Sequence, residues 1–129
     1  MKIMCALLSI FIIMAFCNLC FSPHLNGAQV INQGQEAYEA NCADCHRSNG
    51  EGLAVKFPAL KGNPFVTGAP QPLIELMLRG RKGKMGLMPA WQEHLSDAQM
   101  AALLSYIRNA WGNQAAPVQP QDVGKLRRY

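Results

Sequence analysis

The sequence predicts an all-α domain with three main helices joined by long loops, and three observations carry that prediction. Three segments show helical spacing of apolar residues with recognisable start and stop signals. No segment alternates apolar and polar residues as a half-buried strand would. At the end of the first helical segment stands Cys42-Ala43-Asp44-Cys45-His46, a C-x-x-C-H cluster whose spacing belongs on a helical turn.

In chain order, the first element is a leader. Lys2 is followed by an almost unbroken apolar run from Ile3 to Phe21 and a turn-rich stretch ending Asn26-Gly27-Ala28, the order of a secretory signal peptide. Residues 1–28 are therefore expected to be an export segment, and residues 29–113 the domain proper. An uncleaved membrane anchor is the alternative, because Asn26 is large for a position three residues before a cleavage point and the apolar run approaches bilayer length. Both readings put the rest of the chain outside the cytoplasm, in the periplasm. Cys5, Cys17 and Cys20 lie in the leader and read as small apolar residues. A lipid-modified cysteine is disfavoured by the bulk of Phe16 and Leu19.

The first helix is expected over roughly Gln33 to Cys42, capped by Asn32, and runs into the C-x-x-C-H cluster. Positions i, i+3 and i+4 of a helical turn project from one face. Two thiols so placed can each bond one vinyl group of a porphyrin while the following imidazole reaches the iron, so the cluster reads as an attachment site for one covalent haem c. A thioredoxin-like redox pair would need a βαβ context that is missing. A structural zinc site would need four ligands. Beyond the leader there is no third cysteine, and the remaining histidine is His94. In an oxidising compartment the pair Cys42 and Cys45 would tend to close into a disulfide, and thioether bonds to haem would consume both thiols instead.

From Arg47 to Ala69 the chain is rich in Gly and Pro and has no sustained period. Its apolar residues Leu53, Val55, Phe57, Leu60, Phe65 and Val66 argue against disorder and need a surface to pack on, which a haem face supplies. The second helix follows Pro70 and Pro72, carries Leu73-Ile74-Glu75-Leu76-Met77-Leu78 and stops at Gly80. The third starts at a capping box formed by Ser96 and Gln99, and Met100, Leu103, Leu104, Ile107 and Trp111 recur at helical spacing before Gly112. Between the second and third helices, Gly86-Leu87-Met88-Pro89-Ala90-Trp91 offers a methionine for the second axial position of a haem, with Met85 as its neighbour and competitor.

With these motifs in view, the chain resembles a class I c-type cytochrome, a monohaem cytochrome c domain, over roughly Gln33 to Asn113. The resemblance rests on C-x-x-C-H, the Met-Pro-Ala-Trp loop and the closing Tyr-Ile-Arg-Asn-Ala-Trp-Gly-Asn. It implies the small cytochrome c fold wrapped around one covalent haem, with thioethers to Cys42 and Cys45, His46 as proximal ligand and Met88 as distal ligand. Met88 is preferred to Met85 because the family's ligand immediately precedes proline. Pro58 and Leu60 resemble a Pro-x-Leu pair whose proline carbonyl accepts a hydrogen bond from the proximal histidine and so fixes its tautomer. Gly34, Tyr38 and Tyr106 resemble the surfaces by which the first and last helices cross.

A haem iron with both axial positions filled has no site for a substrate, so the resemblance implies a single-electron carrier in the periplasm rather than an enzyme. A small-ligand sensor with a labile Met88 is one alternative, and a dedicated cytochrome subunit held in the complex of one periplasmic oxidoreductase is another. His94, just before a capping serine, reads as a loop residue rather than a catalytic base. The formal net charge is +4, and Arg79, Arg81, Lys82 and Lys84 concentrate ahead of Met88. They either neutralise haem propionates or form a basic rim that steers an acidic redox partner. So few bases on an exported haem protein argue against nucleic acid, and membrane contact is expected only with an uncleaved leader. Residues 114–129 form an extension rich in Gln, Pro and Ala and then basic, which either lies on the domain or is a disordered end. It resembles the closing segment of cytochrome domains that accompany periplasmic dehydrogenases, reductases and terminal oxidases.

Overall fold

The computed structural model describes residues 26–83 and 86–129. The expectations for most of the leader, for Lys84 and for Met85 concern residues outside these. Helix α1 spans Gly27–Asn41 and passes at Cys42 into the single turn α2, Ala43–His46. A short α3, Pro64–Thr67, precedes α4, Pro70–Arg79. Strands β1, Arg81–Gly83, and β2, Gly86–Met88, form an antiparallel hairpin. Helix α5, Asp97–Ile107, a 3-10 turn at Ala110–Gly112 and α6, Pro120–Arg127, complete the chain.

Helix α1 begins six residues earlier than the sequence suggests. Asn26 is extended (φ −74°, ψ 162°) and accepts from the Gln29 amide at 2.9 Å, while the Gln29 side chain accepts from the Asn26 amide at 2.9 Å. This reciprocal box satisfies two otherwise orphan donors and fixes the start. The other two predicted helices lie where their caps put them. Proline opens α4 and Gly80, at φ 68°, closes it. Ser96 and Gln99 form the box that opens α5.

Trp111, expected on the third helix, falls beyond it. The regular helix ends at Ile107, and Trp111 adopts φ 56° inside the following 3-10 turn. Its ring turns back to meet Tyr38 at 5.0 Å and Tyr106 at 5.6 Å between centroids. The hairpin was also not expected. Its register pairs Arg81 with Met88 and Gly83 with Gly86, and its residues are exposed or nearly so, so there is no buried face to impose an alternating pattern.

The core is built where α1 crosses α5. A Cβ on Gly34 would stand 2.8 Å from the Tyr106 Cβ and run into the Ala102 carbonyl oxygen, so only glycine lets the two backbones approach this closely. Tyr38, Met100, Leu103 and Leu104 are fully buried here, and Ile74, Met77 and Leu78 of α4 pack against them.

The long segment after His46 is held by specific polar ties. Asn113, 5% exposed, donates to the carbonyls of Leu60 (3.1 Å) and Ile107 (2.8 Å) and accepts from the Gly62 amide (2.8 Å). Arg108, 3% exposed, has no carboxylate partner among the described residues and donates instead to the carbonyls of Val66 (2.7 Å), Gly68 (2.9 Å) and Ala116 (2.9 Å). Burial lowers its pKa from the ordinary arginine value. These ties satisfy backbone groups that irregular chain would otherwise leave unpaired.

The C-terminal extension lies on the domain. Val118 and Val123 are buried, and the Val118 amide donates to Ser105 Oγ at 2.9 Å. No helix of the described residues is long and apolar enough to cross a membrane.

Candidate functional site

Helix α2 puts both cysteines and His46 on one turn. The amides of Cys45 (3.1 Å) and His46 (2.9 Å) both donate to the Cys42 carbonyl, and Arg47 ends the turn at φ 61°. Tyr38 donates its hydroxyl to the Arg47 carbonyl at 2.6 Å, which ties the end of the turn to the helix crossing. Cys42 is half-buried, Cys45 exposed, and the two are not joined. Burial pushes the Cys42 thiol up to about 11, with Cys45 adding to the shift.

The motif opens onto an apolar cavity with two adjoining chambers of about 470 Å³ and about 300 Å³. Cys42, His46, Pro58, Leu76, Arg81 and Met88 line both. Cys45, Val55, Lys56, Phe57, Leu87 and Trp91 are among those that line the outer chamber alone, and Leu60, Phe65, Val66, Leu73, Leu104 and Ile107 among those that line the inner one alone. Five of the six apolar residues of the 47–69 segment therefore face the cavity. The sixth, Leu53, lies in a bridge with Phe57.

His46 Nδ1 lies 2.9 Å from the Pro58 carbonyl oxygen. A carbonyl can only accept, so Nδ1 carries the proton and Nε2 is the nitrogen left with a free lone pair. The approach depends on Gly52, which the sequence reading passed over. Gly52 sits at φ 66°, and a Cβ there would stand 2.7 Å from the Pro58 oxygen and 2.8 Å from its carbonyl carbon. The glycine pair Gly50-Glu51-Gly52 just after C-x-x-C-H is the signal that could have found it. Met88 reaches the cavity from the hairpin, where it pairs with Arg81. Of the basic cluster, Arg79, Arg81 and Lys82 are all exposed, and of these three Arg81 lines the two chambers. His94 lies outside the lining, exposed, edge-on to Trp91 at 5.9 Å. Among the described residues, no three His, Cys, Asp or Glu side chains gather as a metal site.

The donor set fits a covalently held haem. Two unjoined thiols, an imidazole with one nitrogen already engaged and a thioether share one apolar cavity.

Comparison with known proteins agrees. The profile of the family described as cytochrome c oxidase, cbb3-type, subunit III matches residues 29–107. The cytochrome c subunit of the quinone alcohol dehydrogenase of Gluconobacter oxydans (strain 621H) is 38% identical over 105 residues, covering 74% of this chain and 22% of that protein. Cytochrome c-552 of Thermus thermophilus is 32% identical over 105 residues, covering 68% of this chain and 79% of that protein. The crystal structure of the c-type cytochrome XoxG from Methylobacterium extorquens AM1 superposes with a TM-score of 0.52 at 21% identity, over 77% of this chain and 65% of that one, which shows a shared fold.

Fold and relatives define the class, a c-type cytochrome domain whose cofactor is one covalently bound haem c. The chain belongs to the family described by the cbb3-type subunit III profile. It spans about a fifth of the length of the alcohol dehydrogenase subunit it matches.

Proposed function

We propose that this protein is a monohaem electron carrier, with haem c attached through Cys42 and Cys45, His46 as proximal ligand and Met88 as distal ligand. The observation that carries the reading is that both thiols, Met88 and a histidine whose Nδ1 is occupied by the Pro58 carbonyl line one apolar cavity. When bound, the haem supplies the one-electron couple of its iron.

The chain's own residues then have defined tasks. The Pro58 carbonyl orients the imidazole and engages Nδ1, which leaves Nε2 as the nitrogen that would hold the haem iron. The Met88 thioether, a soft ligand, raises the potential. Leu60, Leu73, Leu76 and Leu104 keep water from the inner chamber, and a dry shell disfavours the more highly charged oxidised state. Arg81 and Lys56 are the lining cations suited to propionates.

The protein is proposed to be a carrier and not an enzyme, because a haem held through Cys42, Cys45, His46 and Met88 would leave no open position on its iron for a substrate. The Lys2 to Phe21 pattern supports export with residues 1–28 as leader, residues 29–113 as the cytochrome domain and 114–129 as an extension. The likeness to an alcohol dehydrogenase cytochrome subunit supports a periplasmic dehydrogenase or a terminal oxidase as redox partner.

The test is the visible spectrum of protein matured with haem, reduced, with and without carbon monoxide. A low-spin c-type spectrum unmoved by the gas is expected. A spectrum shifted by carbon monoxide would remove Met88 as a stable ligand and turn the reading towards a ligand-binding module.

A further inference from the structure

Beyond the residues matched by the family profile, the chain adds a helix that reaches back to the Met88 side of the cavity. Helix α6 lies so close to the start of α5 that a Cβ on Gly124 would stand 2.6 Å from Asp97 Oδ2. From its last turn, Arg127 sends one guanidinium to three acceptors. Nε donates to Asp97 Oδ1 at 2.7 Å, Nη2 to the Leu95 carbonyl at 2.8 Å and Nη1 to the Gln92 carbonyl.

These acceptors bracket the turn that follows the Met88 loop. Within it, the amides of His94 and Leu95 both donate to the Trp91 carbonyl at 3.1 Å, and the Trp91 amide donates to Met77 of α4 at 2.9 Å. Met88 stands three residues before Trp91. Its loop is thus tied to α4 at Trp91, and the chain just beyond is tied to α6 by Arg127. The extension is anchored well enough to bear this load, through buried Val118 and Val123, the Ser105 hydroxyl and the Ala116 carbonyl on Arg108.

We propose that Arg127 is a positioning residue for Met88. By fastening residues 92–97 to α6, it holds the Met88-Pro89-Ala90-Trp91 segment against the cavity and opposes loss of the thioether from the iron. The proposal rests on the Met88 ligation argued above. A planar fork can span three acceptors in fixed directions, whereas a lysine ammonium at the same place cannot.

The test compares the haem-loaded wild-type protein with Arg127→Ala, Arg127→Lys and the control Lys125→Ala, whose side chain pairs with Asp122 on the exposed side of α6. Three readouts are used: the methionine-to-iron charge-transfer band of the oxidised protein, the rate of carbon monoxide binding to the reduced protein, and amide hydrogen exchange over residues 89–95. With Arg127→Ala, covalent haem should remain while the band weakens, carbon monoxide binds about tenfold faster and the 89–95 amides exchange faster, in proportion to the loss of hydrogen bonds to a charged group. Arg127→Lys should fall between, and it keeps the test open if the alanine variant folds poorly. Lys125→Ala should match wild type. A lower melting temperature in both Arg127 variants with the band and the carbon monoxide rate unchanged would overturn the proposal and leave Arg127 a structural residue. Free carbon monoxide binding by the wild-type protein itself would overturn the ligation reading, and this proposal with it, before any variant is compared.

Discussion

The Tyr38 hydroxyl donates to the carbonyl of Arg47 at 2.6 Å, joining the buried face of α1 to the residue that ends the C-x-x-C-H turn. The phenol is fully buried between Tyr106 and Trp111, and burial pushes its pKa far above the usual tyrosine range, with Cys42, Tyr106 and Glu39 adding to the shift. Tyr106 is raised as well, again chiefly by burial.

A pKa raised on folding gives stability that is complete below the unfolded value and is lost as pH rises towards the folded one. The unfolded phenol titrates near about pH 10, so stability should hold to that point and then fall by up to about 1.4 kcal/mol per pH unit for each such tyrosine. Tyr38→Phe should cost about 1 kcal/mol at neutral pH by losing the hydrogen bond, yet flatten the alkaline decline. Urea unfolding followed by circular dichroism between roughly pH 8 and 11 checks both effects. An unchanged alkaline slope in the variant would assign the decline to other groups.

Gly34→Ala should destabilise the domain by about 1–3 kcal/mol, because the added methyl meets the Ala102 carbonyl and the Tyr106 Cβ where both are fixed by packing. Thermal melts give the number.

Removing the buried guanidinium should be costly in a different way. Arg108→Met fills much of the same volume but leaves the carbonyls of Val66, Gly68 and Ala116 without their donor, for a loss of about 3 kcal/mol. Hydrogen exchange should then rise around residues 64–68 and 116–118, on both sides of the lost fork. A loss confined to one side would show that the other tie is made independently of Arg108.

Met88→Ala should keep covalent haem, let carbon monoxide bind and lower the reduction potential, while Met85→Ala changes none of these. Cys42→Ala combined with Cys45→Ala should abolish covalent haem on a denaturing gel stained for haem. If Met85→Ala opened the site instead, the distal ligand would have to be reassigned.

Much of this architecture can be read from local signals, and the failures share a cause. The Pro70 start, the Gly80 stop and the Ser96–Gln99 box are local, and α4 and α5 lie where they put them. Asn26–Gln29 is a box of the same kind, hidden by reading residues up to Ala28 as the tail of a leader. The hairpin carries no pattern because neither face is buried, and the fold of Trp111 onto Tyr38 depends on a residue 73 positions away. At the site, the spacing of Cys42, Cys45 and His46 is a one-turn property that any reader of the chain meets, and Met88 stands out by its proline. The roles of Gly52, Asn113 and Arg127 come from approaches between distant segments, for which no short stretch of sequence holds the cue.

The crossing of α1 with α5 brings Gly34 against Ala102, so it closes only after nearly all of the domain's chain is available. Until then α1 is a lone 15-residue helix, at the margin of independent stability in water. A chain in which that crossing has not formed therefore carries Cys42, Cys45 and His46 on a turn that the native packing does not yet support.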